Sequence, residues 1–314
     1  MNCIGIWYKY NEESSVKRII DFHVNYWKLS KIGAKNIVDL GFFVNPEIVE
    51  SVYLHIPHDY KLESINDVLN EENIKNVFNE GVELTKDTEE LWYKAKLSND
   101  LEYTIPDVKL LDVALLREDS FKCQLFKISF TEKLPESYPE QVYLRLRFLD
   151  TDNVFYEVSK PKMSIFERVC KVHEIFDIRI NDYRILDTDL QKYAKRNELI
   201  LCQFDKIHFL YMASQEESID FLSSKHLLVC RSLETEKWFG YLGELTKINK
   251  KRMLRHHFIV HHWKLNKKQE CQILFKSHFL KFGFLKLLGF SLLGFLISLT
   301  ISWLWDICLI DLFK

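Results

Sequence analysis

Four imidazoles within seven residues, His256-His257-Phe-Ile-Val-His261-His262, are the densest group of metal-ligand side chains in the chain. Imidazole nitrogen binds zinc well, usually with Cys or carboxylate donors completing a tetrahedron. Read as a strand, the segment divides its histidines between two faces, His256 and His262 beside Phe258 and Val260, and His257 and His261 beside Ile259. Histidines four or six residues apart on an extended chain are too distant to share one ion, and no Cys or carboxylate lies within the group. The segment therefore reads as a basic patch that gains charge as pH falls, because imidazole titrates near neutrality. The carboxylate pairs Glu89-Glu90 and Glu216-Glu217, and the Asp187-Thr-Asp189 run, stand in polar stretches and read as solvated helix faces or caps. Arg145 and Arg147 alternate with Val142, Leu144, Leu146 and Phe148. That spacing predicts a strand with its arginines on a wet face, solvated or turned toward a phosphate or an acidic partner.

Other routes to chemistry are missing from the sequence. The nine glycines form neither GxGxxG nor GxxxxGK[ST], and there is no GxSxG elbow or HExxH helix. The seven cysteines, at 3, 123, 170, 202, 230, 271 and 308, include no CxxC pair and read as reduced thiols of a cytosolic protein. No catalytic residue, cofactor or metal site is expected.

The elements that would carry these residues are mostly strands. Alternating apolar positions mark strands over 52–56, 142–148, 176–180 and 207–211, with others at 3–10, 20–29, 37–44, 121–130, 199–204 and 226–231. Asn45-Pro46, Pro57-His58-Asp59 and Asp150-Thr-Asp-Asn153 supply turn chemistry between them. Short helices are expected over 64–81, opened by the Ser64-x-x-Asp67 cap, and over 187–196 and 216–224. The fold class is mainly β, an antiparallel sandwich or barrel with a few short helices. With 23 Phe, 14 Tyr and 7 Trp, and little Gly or Pro, the composition is that of a packed body.

The C-terminal region is different. Residues 287–305 are nineteen in a row without a charge, about 28 Å of helix, near the thickness of a bilayer core. Between Lys247 and Lys286 there are eleven Lys or Arg and one acid, Glu270, whereas Asp306 and Asp311 follow the run. Basic residues crowding one flank mark the cytoplasmic side. The expected division is a cytoplasmic body over 1–246, a basic juxtamembrane segment over 247–285, a single crossing over 286–306 and a short outer tail over 307–314. Lys250, Lys251, Arg252, Arg255, Lys267, Lys268, Lys281 and Lys286 are expected to meet anionic lipid headgroups rather than a specific DNA sequence. Gly294, Ser298 and Ser302 recur every four residues, a stripe on which two copies of the helix can pack closely. Trp303 and Trp305 fall at the outer interface as anchors. The stretch 273–285, mixing Phe with Lys276 and Lys281, is expected to enter the interface at a slant.

A strand-rich body with segments such as DLGFFVNP and PEQVYLRLRF, followed by KLLGFSLLGFLISLTISWLW, resembles the membrane effectors of bacterial anti-phage defence operons, particularly those paired with retrons. The resemblance is one of architecture over the whole chain. It implies a toxin of the inner membrane, silenced by an inhibitory or sensing protein or nucleoprotein from the same operon. On activation it would assemble into homo-oligomers, perturb the membrane and abort infection. A single-pass scaffold holding a cytosolic partner, and a tethered enzyme, are the other classes the sequence admits.

Overall fold

The computed structural model describes residues 3–10, 19–57, 62–64, 71–78, 82–86, 92–97, 102–106, 112–116, 124–130, 141–150, 153–159, 171–221, 227–246, 253–280 and 284–312. Two mixed sheets carry most of these residues. Along the first lie β16 (Ser218–Phe221), β19 (Cys271–Leu280), β13 (Lys171–Ile180), β1 (Cys3–Tyr10), β4 (Val49–Ile56), β10 (Gln124–Ser129) and β9 (Asp112–Leu116). Two short strands join it, β12 (Tyr156–Ser159) on β13 and β14 (Ile200–Leu201) on β1. The second runs β17 (Leu227–Leu233), β18 (Phe258–Lys268), β15 (Gln203–Ser214), β2 (Ile19–Trp27), β3 (Asn36–Val44) and β11 (Val142–Asp150). It continues through β8 (Glu102–Pro106), β7 (Trp92–Lys96) and β6 (Glu83–Lys86), with β5 (Leu62–Ser64) also on β11. Most pairs are antiparallel; β1–β13, β15–β2 and β11–β8 are parallel.

Three apolar layers follow from the alternation of the strands. Phe22, Val24, Leu40, Leu54, Phe176 and Phe209 belong to the inner layer, built from both sheets. Outside the first sheet, Trp7, Tyr53 and Leu125 pack against Leu190 and Ala194 of α2 (Thr188–Arg196). Asp187 caps this helix, accepting from the backbone N–H groups of Asp189 (2.8 Å) and Leu190 (3.3 Å). Outside the second sheet, Trp27, Ile37, Met212 and Tyr143 pack with Ile74 of α1 (Glu71–Phe78) and Tyr241 and Leu242 of α3 (Thr235–Thr246). Because helices cover both outer faces, β11 is buried along its whole length.

One glycine is required by a close approach. A Cβ on Gly41, in the middle of β3, would lie 2.9 Å from Cζ of Tyr143 on the neighbouring strand. Gly41→Ala is expected to lower the unfolding free energy by about 1–3 kcal/mol through overpacking, and Tyr143→Leu in the same chain to recover part of it. Thermal melts of the three proteins check this.

Asn181 closes the parallel β1–β13 pair from a left-handed backbone (φ 56°). Its side chain accepts from Ile6 N–H at 2.8 Å and donates to the Cys202 carbonyl at 3.1 Å, so the turn leaves no buried amide of its own unsatisfied.

Several expectations change. Of the helix expected over 216–224, residues 216–221 are instead a turn followed by β16, because 218–221 pair with β19, and 222–224 lie outside the described residues. Residues 65–70, including Asp67, lie outside the described residues; Ser64 ends a strand, and helix begins at Glu71. The body does not end at 246. Residues 258–268 and 271–280 are interior strands, β18 between β15 and β17 and β19 between β13 and β16. Residues 273–280 are therefore sheet and do not slant into an interface; their Phe275 and Ile273 fill the core. After β19, α4 (Phe284–Leu312) is the one helix among the described residues long and apolar enough to cross a membrane, over Leu288–Trp305.

Candidate functional site

β19 and α4 are separated by three residues, so the end of the body nearest the helix is the place where the two can influence each other. This end is built by the last residues of β2 and β19, the first of β13, and the turn between β15 and β16. Lys28, just beyond β2, is 3% exposed and pairs with carboxylates from two elements. Its ammonium contacts Glu174 of β13 and lies 2.7 Å from Glu217 Oε1 in the turn. Tyr211 donates to the same Glu217 oxygen (2.9 Å), and Tyr156 donates to Tyr211 (2.5 Å). Burial pushes both phenols well above their ordinary range, so they remain donors at any physiological pH. One cation between two carboxylates thus ties β2 of one sheet to β13 of the other.

Phe279, the second-last residue of β19, lies in this cluster. Lys31 Nζ stands 4.1 Å from the centre of its ring and Lys28 Nζ 5.2 Å from it. Cation–π attraction of this kind is worth about 0.5–2 kcal/mol, more as the cation loses water. Burial lowers the Lys31 pKa, and among the described residues its ammonium, Glu217 Oε2 and the Ser277 hydroxyl have no hydrogen-bond partner. The cluster is a polar plug between apolar sheets. It can hold charge and position Phe279; with the Glu217 side chain fully covered it offers no carboxylate to a substrate. Glu217 is therefore not the solvated carboxylate its polar neighbourhood suggested, whereas Glu216 beside it is exposed.

A second ionic cluster lies beneath α3, and it corrects the expected wet face of β11. Arg145 and Arg147 are buried because α3 covers their face. Arg147 grips Asp39 with two donors, Nε at 2.6 Å and Nη2 at 3.0 Å, and donates Nη1 to the Tyr241 carbonyl at 2.9 Å. Arg145 donates to the hydroxyls of Tyr241 (2.8 Å) and Tyr143 (2.9 Å). Burial pushes the Asp39 carboxyl up, but Arg147 and Arg145 overcome this and hold it below the usual carboxylate range. Neither arginine is free for a phosphate.

The four clustered histidines divide, as expected, but only two of them lie on the strand. His256 and His257 precede β18, His261 faces the core side near Tyr211, and His262 turns outward to His208 of β15 (2.9 Å between ring nitrogens). His23, the cross-strand partner of His208, extends the row. Among the described residues no group of three or more His, Cys, Asp or Glu is arranged to hold a metal ion. Burial lowers the pKa of His208 and of the well-covered His55 to about 4. Such groups are neutral in the fold yet protonate at about 6.5 when unfolded, so stability is complete above that value and falls as pH drops toward 4. A melt series from pH 7 to 4 is expected to show that loss, and His55→Gln to remove up to about 3 kcal/mol of it.

The predicted lipid-contact residues scatter as well. Lys267 and Lys268 are at the β18–β19 turn, a ten-residue strand and so about 30 Å from the end that leads into α4. Trp263 of β18 stacks on Phe275 of β19 (5.9 Å), which brings the start of β18, and exposed Arg255 before it, to the α4 end. Lys250, Lys251, Arg252 and Lys281 lie outside the described residues; Lys286 is in the first turn of α4. Gly294, Ser298, Ser302, Trp303 and Trp305 are exposed, and a Cβ on Gly294 would meet nothing within 4 Å.

No protein-family model matches the chain, and no curated protein matches it. The fold and site define a two-sheet, mainly β body whose interior strand β19 leads into a single apolar helix compatible with membrane anchoring.

Proposed function

We propose that this chain is a membrane-anchored effector: a cytoplasmic body restrains its C-terminal helix, and activation of the body lets copies of that helix associate and perturb the inner membrane. One observation carries the reading. β19 is hydrogen-bonded to β13 and β16 and runs within three residues of an exposed apolar helix. Four chain steps span at most about 14 Å, so strain in the sheet reaches the helix instead of being lost in a tether. Lys281 and Lys286 on the body side of the helix, against Asp306 and Asp311 beyond it, support a cytoplasmic body. The stripe of Gly294, Ser298 and Ser302 is the surface on which activated copies would pack. On the resemblance given above, the setting is anti-phage abortive infection, with an operon partner holding the body idle.

Induced expression in a bacterial host, following membrane potential and entry of an impermeant dye, tests this. Full-length protein is expected to depolarise cells within minutes once freed of its inhibitor. Truncation after Lys281 and the pair Gly294→Leu/Ser298→Leu are expected to abolish the effect. Well-expressed, membrane-bound protein that leaves the potential intact in every background, with and without candidate operon partners, contradicts the effector reading and favours a scaffold.

A further inference from the structure

The outer strand β17 is left open in a way that edge strands of soluble bodies seldom are. Among the described residues it is hydrogen-bonded on one side only, to β18. Five consecutive residues, 228–232, are exposed, including Leu228 (57%) and Val229 (42%). Exposure of both faces in sequence means that nothing described covers the strand or its free backbone edge. Edges are ordinarily blunted by proline, lysine, inward charge or a covering element. Leu-Leu-Val-Cys-Arg-Ser-Leu has no proline and one charge, Arg231; its one register shift, between Leu227 and Val229, leaves 229–233 regularly paired with β18.

The charges left without an ion-pair partner beside this edge are basic. Val229 and Arg231 lie on the face shared with His262 and Lys264 of β18, and next to them His208 and Lys206 of β15. Asp21 offsets Lys206 at 3.5 Å, and Asp205 is also near it. Glu234, close to Arg231, is engaged by Lys237. Arg231 and Lys264 form no ion pair among the described residues.

We infer that the β17 edge is a docking site for an extended acidic segment of a soluble partner, added to the second sheet as its next strand. Backbone hydrogen bonds give such strand addition its affinity, and alternate side chains give it specificity. Here acidic residues would face Arg231 and Lys264, and an apolar residue would cover Leu228. Complementary charge speeds the encounter and rejects basic segments.

The test uses full-length protein in detergent micelles and two ten-residue peptides, one alternating Glu with Val and one alternating Lys with Val. Fluorescence anisotropy measures binding, and amide exchange locates it. The Glu peptide is expected to bind at least tenfold more tightly than the Lys peptide and to slow exchange across 227–233 at least threefold. Arg231→Glu is expected to erase or invert the preference, and Leu228→Lys, at an exposed position, to weaken the Glu peptide without unfolding the chain. Equal binding of the two peptides, or binding that leaves β17 exchange unchanged, overturns the inference. Protection of β17 that grows with protein concentration in the absence of peptide also overturns it, in favour of pairing between copies.

Discussion

Asp39→Ala is expected to destabilise the body by about 3–5 kcal/mol. The carboxylate is fully covered and serves four groups at once: Arg147, Arg145, the Tyr241 hydroxyl at 2.7 Å and the Trp27 indole N–H at 3.2 Å. Removing it leaves two guanidinium groups in an apolar layer with no counter-charge, and buried charge stranded in this way costs more than the intact pair contributes. The same reasoning gives a companion result. Arg147→Met added to Asp39→Ala is expected to recover part of the loss, since it withdraws one of the stranded cations. Thermal or urea unfolding of the three proteins checks both. A melting temperature unchanged by Asp39→Ala contradicts the buried pairing.

Lys28→Met comes next and acts at the other cluster. Without the ammonium, Glu174 and Glu217 face each other across the two sheets with no cation between them, a loss again of about 3–5 kcal/mol. The effect is also local. Amide exchange over 277–280 is expected to rise at least tenfold relative to β1, because Phe279 loses one of its two cations and β13 loses its tie to β2. Lys31 provides the contrast. Its ammonium has no hydrogen-bond acceptor, so Lys31→Met is expected to change stability by less than about 1 kcal/mol while still loosening Phe279. Equal destabilisation by the two variants would mean that the carboxylates are not what Lys28 holds.

Much of the body was legible because its strands alternate. The β1 bounds and the 187–196 helix with its Asp187 cap follow from periodicity and capping chemistry alone. Arg145 and Arg147 were misread for a physical reason. Alternation separates two faces of a strand but does not say that a helix from ninety residues away, α3, will cover the polar one. Asp39 stands in an apolar run and carries no local sign of its partners. The cluster at Lys28 has the same character, since its three charged residues come from distant parts of the chain. The basic stretch after 246 looked like a collar because composition was read without pairing. Lys264, Lys268 and Lys276 ride on β18 and β19, whose apolar residues alternate inward. The long apolar helix was plain in the sequence because nineteen uncharged residues need no tertiary context to be recognised.

The measurement that bears most directly on this account is the sidedness of the chain. Cys230 is exposed on the body, and Lys314→Cys adds a thiol beyond α4. A membrane-impermeant maleimide applied to intact spheroplasts is expected to label the residue 314 thiol and to reach Cys230 only after lysis. Labelling of both thiols before lysis, or of neither until lysis, contradicts a single crossing that joins a cytoplasmic body to an outer tail.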